Sequence, residues 1–371
     1  MIKLHAIQAE FGDCFILESN QGKDKVTILI DGGPYQTFKK HLKPALQKLP
    51  LGGKLDLAIL SHIDNDHIIG LLDLFDEIKT QRQNAEKELV KIEKLWHNSF
   101  NDLLELDAEP KKFFKSVFLS QNLLAKKEQV KKEKIIESII MKGFQQGSDL
   151  TLLARSLKIP INPEFDKLIV VKDTLKSINL KNIRLHILGP TEENLKKLRA
   201  EWKKWVKKKK VTHITQLEVF QILDKSIPNL ASIMFLAEIK NRKILFTGDG
   251  LGQDIIQTLS KNNMMNKNHK FHVDILKVPH HGSDRNASLE FFNAVTADCY
   301  IISANGRDDN PSFDTLRWIV ESGRKSKNSR KIVLTNMTPN VKNVLNEYDQ
   351  KTFNYECTIL EKKDDFLTIK L

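Results

Sequence analysis

Between Leu57 and Gly70 the chain reads L-A-I-L-S-H-I-D-N-D-H-I-I-G. The apolar run Leu57 to Leu60 has the length of a buried strand, and Ile68 to Leu72 resumes an apolar pattern that can start a helix. His62, Asp64, Asp66 and His67 lie between them. A strand end feeding a loop and then a helix projects side chains from a turn whose two flanks are rigid. A lone Asp-x-Asp is normally a solvated turn, and a lone histidine is normally surface or satisfied core. Two histidines bracketing two aspartates at one strand end instead point to a metal site, because imidazole and carboxylate are ligands for zinc, manganese and iron.

Further candidates also follow strand-like runs. Val26–Ile30 leads into Asp31-Gly32-Gly33-Pro34, where paired glycines permit a tight turn that lets Asp31 point under the strand ends. Lys243–Thr247 leads into Gly248-Asp249-Gly250, and Val273–Val278 into Pro279-His280-His281-Gly282-Ser283. Three clusters of possible ligands, each just past a strand, are stronger evidence than one.

The motif S-H-I-D-N-D-H-x-x-G resembles the second motif of the metallo-β-lactamase-fold hydrolases, usually H-x-H-x-D-H, with Asp64 at the middle histidine. Together with K-V-P-H-H-G-S it is similar to the hydrolase domain of the ComEC DNA-uptake channel and its soluble relatives. Residues 11–34, 57–70, 229–250 and 273–283 carry the resemblance. It implies an α/β fold, a four-layer αβ/βα sandwich spanning 1–371 as one domain, and two divalent ions, Mn²⁺ or Zn²⁺. Carried over, His62 and Asp64 hold the first metal, Asp66 and His67 the second, and Asp249 bridges. One of His280 and His281 ligates and the other contacts the substrate phosphate; their order stays open. Asp66 also orients the attacking water. Asp31 and Asp13, in Phe11-Gly12-Asp13, support the centre by hydrogen bonds. The third-motif histidine has no match; Asn229 and Ser232, in N-x-x-S, stand near its place, which leaves the first site short of nitrogen. His97 and His186 are fallback ligands, each read first as structural.

Along the rest of the chain, strands are expected over residues 2–8 and at Cys14–Leu17, Lys91–Trp96, Arg184–Leu188, Ile233–Ile239, Tyr300–Ser303 and Ile332–Thr335. Helices are expected at Phe38–Lys48, 68–79 and Ser312–Ser322. Two packed sheets covered by helices accommodate this order. Residues 100–180 turn to charged helical segments (Phe113–Leu123, Val130–Gly143, Ser148–Leu157) and read as an insertion or lid. A helix from Thr191 ends in Lys203, Lys204, Lys207, Lys208, Lys209 and Lys210, interleaved with Trp202 and Trp205. Such an end can stack on bases and hold phosphates, or be an ordinary amphipathic helix whose lysines are solvated.

The net charge of +12 favours a polyanionic partner, nucleic acid first. Three scattered cysteines, Cys14, Cys299 and Cys357, exclude a disulfide framework or zinc ribbon. No apolar run approaches the roughly 20 residues that span a bilayer, and no signal-like segment opens the chain. The expectation is therefore a cytoplasmic metal-dependent phosphodiesterase or nuclease without membrane contact. Alternatives are a small-molecule phosphodiesterase or lactonase, or an effector that binds nucleic acid or a partner without catalysis.

Overall fold

The computed structural model describes residues 1–21, 24–99, 102–103, 146–172, 174–209, 229–323 and 329–371, with side chains of 201–209 left out. Its first sheet has six strands in the order β16-β1-β2-β3-β5-β7. These are β1 (Ile2–Ile7), β2 (Phe15–Gln21), β3 (Asp24–Ile30), β5 (Leu57–Ile59), β7 (Leu95–Trp96) and β16 (Phe366–Lys370). The second sheet has eight, ordered β15-β14-β13-β12-β11-β10-β9-β8. They are β8 (Ser177–Leu180), β9 (Ile183–Gly189), β10 (Met234–Ile239), β11 (Arg242–Phe246), β12 (Phe271–Lys277), β13 (Val295–Ile302), β14 (Arg330–Leu334) and β15 (Tyr355–Ile359).

Both sheets are covered on both faces, so their strands are apolar on alternate and intervening positions alike. On β1, Ile2, Leu4 and Ala6 enter the core between the sheets while Ile7 faces the outer helices. On β10, Phe235, Ala237 and Ile239 enter the same central core, and Met234 and Leu236 face the other helical layer. Phe235 stacks on Phe246 at the centre, with centroids 4.9 Å apart. Truncating one such core side chain to alanine costs about 3–5 kcal/mol.

The outer layers complete a four-layer sandwich. On the first sheet lie α1 (Lys43–Lys48, continuing a wider turn over Phe38–Leu42), α2 (Asn65–Gln83), α3 (146–156) and the start of α4 (Glu192–Lys209), through Leu195 and Leu198. On the second lie α5 (Gly252–Lys261), α6 (Leu289–Ala294), α7 (Phe313–Ser322) and α8 (Pro339–Glu347). None of the described helices is long and apolar enough to cross a membrane.

Two stretches differ from the sequence expectation. The expected strand Lys91–Trp96 is divided into β6 (Lys91–Ile92) and β7, and β6 pairs with Lys54–Leu55 (β4) in a separate ribbon that a break at Asp56 sets off from β5, which joins the main sheet. Asp56 causes the break, since its buried carboxylate accepts the Thr27 N–H at 3.0 Å and pairs with Lys181 at 2.8 Å. Ile169, Val171 and Leu180, within the expected insertion, pack into the core between the sheets. The helical segments Phe113–Leu123 and Val130–Gly143 lie outside the described residues.

Candidate active site

β3, β5, β11 and β12 end on one edge of the sandwich, and the strand before α2 delivers its loop there because two glycines allow close contact. A Cβ on Gly70 would lie 1.9 Å from the Gly32 carbonyl oxygen, so helix and D-G-G turn touch backbone to backbone. Gly32 N–H donates to His67 O at 2.7 Å, Gly70 N–H to Gly33 O at 3.0 Å, and Asp13 N–H to Asp66 O at 3.1 Å. The first turn of α2 is thereby held against both preceding loops. Asp64 occupies the N-cap position in extended conformation, yet its side chain caps no N–H. A carboxylate that normally satisfies the first helical amides is left free for the site.

Each imidazole is aimed by its Nδ1. His67 Nδ1 donates to Asp31 Oδ2 at 3.0 Å, and Asp31 also accepts the Ser61 N–H and hydroxyl, both at 2.7 Å. His281 Nδ1 donates to Ser303 O at 3.0 Å. His280 Nδ1 donates to Asn286 Oδ1 at 2.7 Å, and Asn286 in turn donates to Asp249 O at 2.8 Å. The Nε2 atoms therefore converge. His67 Nε2 lies 3.3 Å from His281 Nε2 and 3.5 Å from Asp249 Oδ1; His281 Nε2 lies 3.1 Å from Asp66 Oδ2. On the other side of Asp249, its Oδ2 lies 3.5 Å from His62 Nε2 and 3.4 Å from His280 Nε2, with Asp64 Oδ2 3.6 Å from His62 Nε2.

The divergence of adjacent histidines comes from the backbone. His280 and His281 have φ of 45° and 55°, a left-handed conformation that costs a non-glycine residue about 1–2 kcal/mol each. That turn brings consecutive side chains to one carboxylate oxygen, His280 Nε2 at 3.4 Å and His281 Nε2 at 3.5 Å from Asp249 Oδ2, rather than to opposite faces of a strand.

Buried negative charge dominates the centre. Burial opposes it, but Asp249, Asp66 and Asp31 raise the His67 pKa well above the ordinary value. Burial likewise opposes a rise at His281, where Asp249 and Asp13 carry it well above. His62 goes the other way: burial and then His67 press it down to about 3, which keeps its lone pair free. Between His67 and His281 at 3.3 Å only one proton can sit, although the carboxylates draw positive charge to both. His62 Nε2 and Asp249 Oδ1 are buried without any hydrogen-bond partner. A divalent cation fits this donor set: it satisfies the orphaned atoms and needs imidazole and carboxylate together.

The structure thus gathers His62, Asp64, Asp66, His67, Asp249, His280 and His281 at one edge. Asp13, Asp31, Asn229 and Ser232 surround them: Asn229 Nδ2 is 3.3 Å from His280 Nδ1, and Ser232 Oγ accepts the Asp249 N–H at 3.3 Å. Asp13 comes within ligand range of His67, Asp249 and His281, but its carboxylate is already engaged by the Lys277 ammonium. His97 and His186 lie apart from the cluster. His97 meets Gly147 O at 3.3 Å, and His186 is held between Ser177 Oγ at 2.7 Å and Glu238 Oε2 at 3.1 Å. Lys203, Lys204, Lys207, Lys208 and Lys209 fall on α4 where side chains are not described, and Lys210 lies outside the described residues. Sequence reasoning passed over Ser61, Asn286, Ser303 and Lys277. A lysine closing the strand F-H-V-D-I-L-K, three residues before a histidine pair, was the available signal for the last.

Residues 8–153 match the metallo-beta-lactamase superfamily, a span that includes Asp13, Asp31 and the 62–67 loop. No curated protein matches the chain in sequence. Among solved structures, a diphosphatase from the PhnP family is 11% identical, with 100% of this chain and 98% of that one covered and a TM-score of 0.39. Zn²⁺-bound PqqB from Methylobacterium extorquens is 8% identical with both chains covered in full, at a TM-score of 0.41. Metallo-β-lactamase SMB-1 bound to 2-mercaptoethanesulfonate is 11% identical over 87% of this chain and 85% of that one, at 0.29. The layer order, helices–sheet–sheet–helices with the cluster at the sheet edges, is that of the metallo-β-lactamase fold.

Proposed function

We propose that the chain is a two-metal hydrolase of phosphodiesters whose substrate class is nucleic acid, DNA first. The observation that carries this reading is the convergence of four imidazole Nε2 atoms on the two oxygens of Asp249, each imidazole with its Nδ1 directed elsewhere. On this reading Asp66, His67, Asp249 and His281 hold one ion, and His62, Asp64, Asp249 and His280 the other. His280 then takes the place of the absent third-motif histidine, and each site has two imidazoles and two carboxylates with Asp249 shared.

When bound, such ions lower the pKa of a water and neutralise charge gathering on a phosphoryl oxygen. The chain's own groups do the rest. Asp66, 22% exposed and open to solvent on one side, accepts a hydrogen bond from the attacking water and orients it. Asp31 and Ser61 keep His67 from turning, and Asn286 does the same for His280. His280, 28% exposed, stands at the mouth where the leaving oxygen departs. The net charge of +12 and the ComEC-like motifs support a polyanionic substrate.

The test is a metal-titrated assay of stripped protein against single- and double-stranded DNA, RNA and bis(p-nitrophenyl) phosphate, run beside Asp249→Ala. Metal-dependent cleavage that Asp249→Ala removes is the expected result. Binding of the polymers without cleavage at any metal would replace this reading by that of a non-catalytic effector.

A further inference from the structure

Lys277 is 2% exposed, at the last position of β12 and two residues before the histidine turn. Its Nζ forms an ion pair with the Asp13 carboxylate, donates at 2.9 Å to the Gly248 carbonyl, and lies 3.7 Å from Asp249 Oδ1. Asp13 belongs to the loop before β2, while Gly248 and Asp249 belong to the turn after β11. One ammonium on a rigid strand end therefore joins three of the segments that build the site. Beside it lies a small cavity lined by the polar Asp13, Asp31, Ser61 and Lys277 and by the apolar Phe15, Phe235 and Phe246. Lys277 and Asp13 are both almost fully buried, so solvent screens their charges little.

Five carboxylates, Asp13, Asp31, Asp64, Asp66 and Asp249, crowd this edge. A buried anion is tolerated only when paired, and Asp13 has Lys277 as its pair. Asp13 Oδ1 is also 3.4 Å from His281 Nδ1, on the side of the ring away from the cluster. The ammonium thus holds Asp13 behind His281 and places one positive charge beside Asp249.

We propose that Lys277 is a positioning residue that sets the charge of the metal centre, keeping Asp13 out of it and offsetting one carboxylate next to Asp249. The proposal rests on the two-metal reading above. It has a signed consequence: removing the cation makes the centre more negative, so a divalent ion binds more tightly, while the centre becomes less able to accept charge building on a phosphoryl group. A lysine that merely fills space would, on removal, loosen the site and weaken metal binding.

The experiment is calorimetric titration of Mn²⁺ alone into metal-stripped full-length parent, Lys277→Met and the double variant Asp13→Asn/Lys277→Met, each checked by circular dichroism. The expected result is Mn²⁺ affinity raised roughly tenfold or more in Lys277→Met and returned to near the parent value in the double variant, which removes both charges. Unchanged or weaker binding by folded Lys277→Met would overturn the proposal. If that variant does not fold, loss of binding by the folded double variant would overturn it equally, and retained binding upholds it. Where the parent hydrolyses bis(p-nitrophenyl) phosphate, Lys277→Met should lower kcat with KM little changed. A parent that binds Mn²⁺ and hydrolyses nothing would overturn the hydrolase reading, while the affinity shift still decides the role of Lys277. A parent that binds no Mn²⁺ would overturn both.

Discussion

His67 and His281 set their Nε2 atoms 3.3 Å apart although one is delivered by the loop after β5 in the first sheet and the other by the turn after β12 in the second. Both rings have an acceptor at Nδ1, Asp31 for one and the Ser303 carbonyl for the other. Two nitrogens fixed in this way leave room for a shared cation or a single proton, and the pH behaviour of the protein follows from which of the two is there.

Metal-stripped protein should lose thermal stability as pH rises above about 6.5. The carboxylates around His67 and His281 hold the proton between these two rings above the ordinary imidazole value of 6.5, so its contribution is complete below that value and is lost as pH climbs through the folded pKa. His62, held down at about 3, opposes this trend only near and below pH 6.5 and is neutral in both states well above it. A bound divalent ion replaces that proton, so the melting-temperature gap between loaded and stripped protein should widen with pH. Scanning fluorimetry from pH 6 to 9 checks this; a gap that narrows contradicts the placement of the ions.

Asp249→Ala should abolish metal retention and reduce hydrolysis by more than ~10²-fold, the range seen when only outer partners of a ligand are lost. His280→Ala and His281→Ala should each halve the bound metal measured by mass spectrometry, with circular dichroism unchanged. Full retention in His280→Ala would remove that residue from the first site.

Metal preference is a separate outcome. Two imidazoles per site are fewer than in a three-histidine zinc site, and oxygen ligands suit Mn²⁺. Stripped protein should regain most activity with Mn²⁺ and less with Zn²⁺, and Asp64→His should move the preference toward Zn²⁺. Activity of both proteins across both metals at equal occupancy measures it; a parent that prefers Zn²⁺ and a substitution without effect would take Asp64 out of the centre.

Gly70→Ala should destabilise the fold by roughly 2–4 kcal/mol, because its new methyl would sit 1.9 Å from the Gly32 oxygen in a backbone-to-backbone contact. The displacement would fall on Asp66 and His67, so activity should fall along with the urea midpoint. An unaltered midpoint would mean that the D-G-G turn yields freely.

Changing Lys203, Lys204, Lys207 and Lys208 to glutamine should weaken nucleic-acid binding and flatten its salt dependence, while cleavage of bis(p-nitrophenyl) phosphate is untouched. Anisotropy titrations at several salt concentrations give the slope. An unchanged slope assigns the lysines to the solvated face of α4.

Much of the fold was legible because its signals are local. The apolar runs at Val26–Ile30 and Val273–Val278 end in turns with glycine or proline, Leu57–Leu60 ends in the polar turn Ser61–Asp64, and each is a strand leading to the cluster. β16 was missed because its partner is β1, at the far end of the chain, and nothing near Phe366 encodes that pairing. The separate aims of His280 and His281 depend on two positive φ angles, which a pair of identical residues does not announce. Lys277 escaped notice for a related reason: a lysine at a strand end reads as an exposed terminus until its partners, 264 positions earlier at Asp13 and 29 earlier at Gly248, are brought beside it.

The seven clustered side chains are split between the sheets, four from the loop after β5 and three from turns after β11 and β12. His62, Asp66 and His67 of the first half lie close enough together to hold an ion, but Asp249, His280 and His281 come from the other half, so the full donor set exists only once the two have docked in register. On the two-metal reading, completing both ion sites therefore doubles as a check on sheet register, and chelation should loosen the seam at this edge first. Hydrogen exchange at Ser61 and Gly248 amides, slow in loaded protein and quick after stripping, would record that loosening.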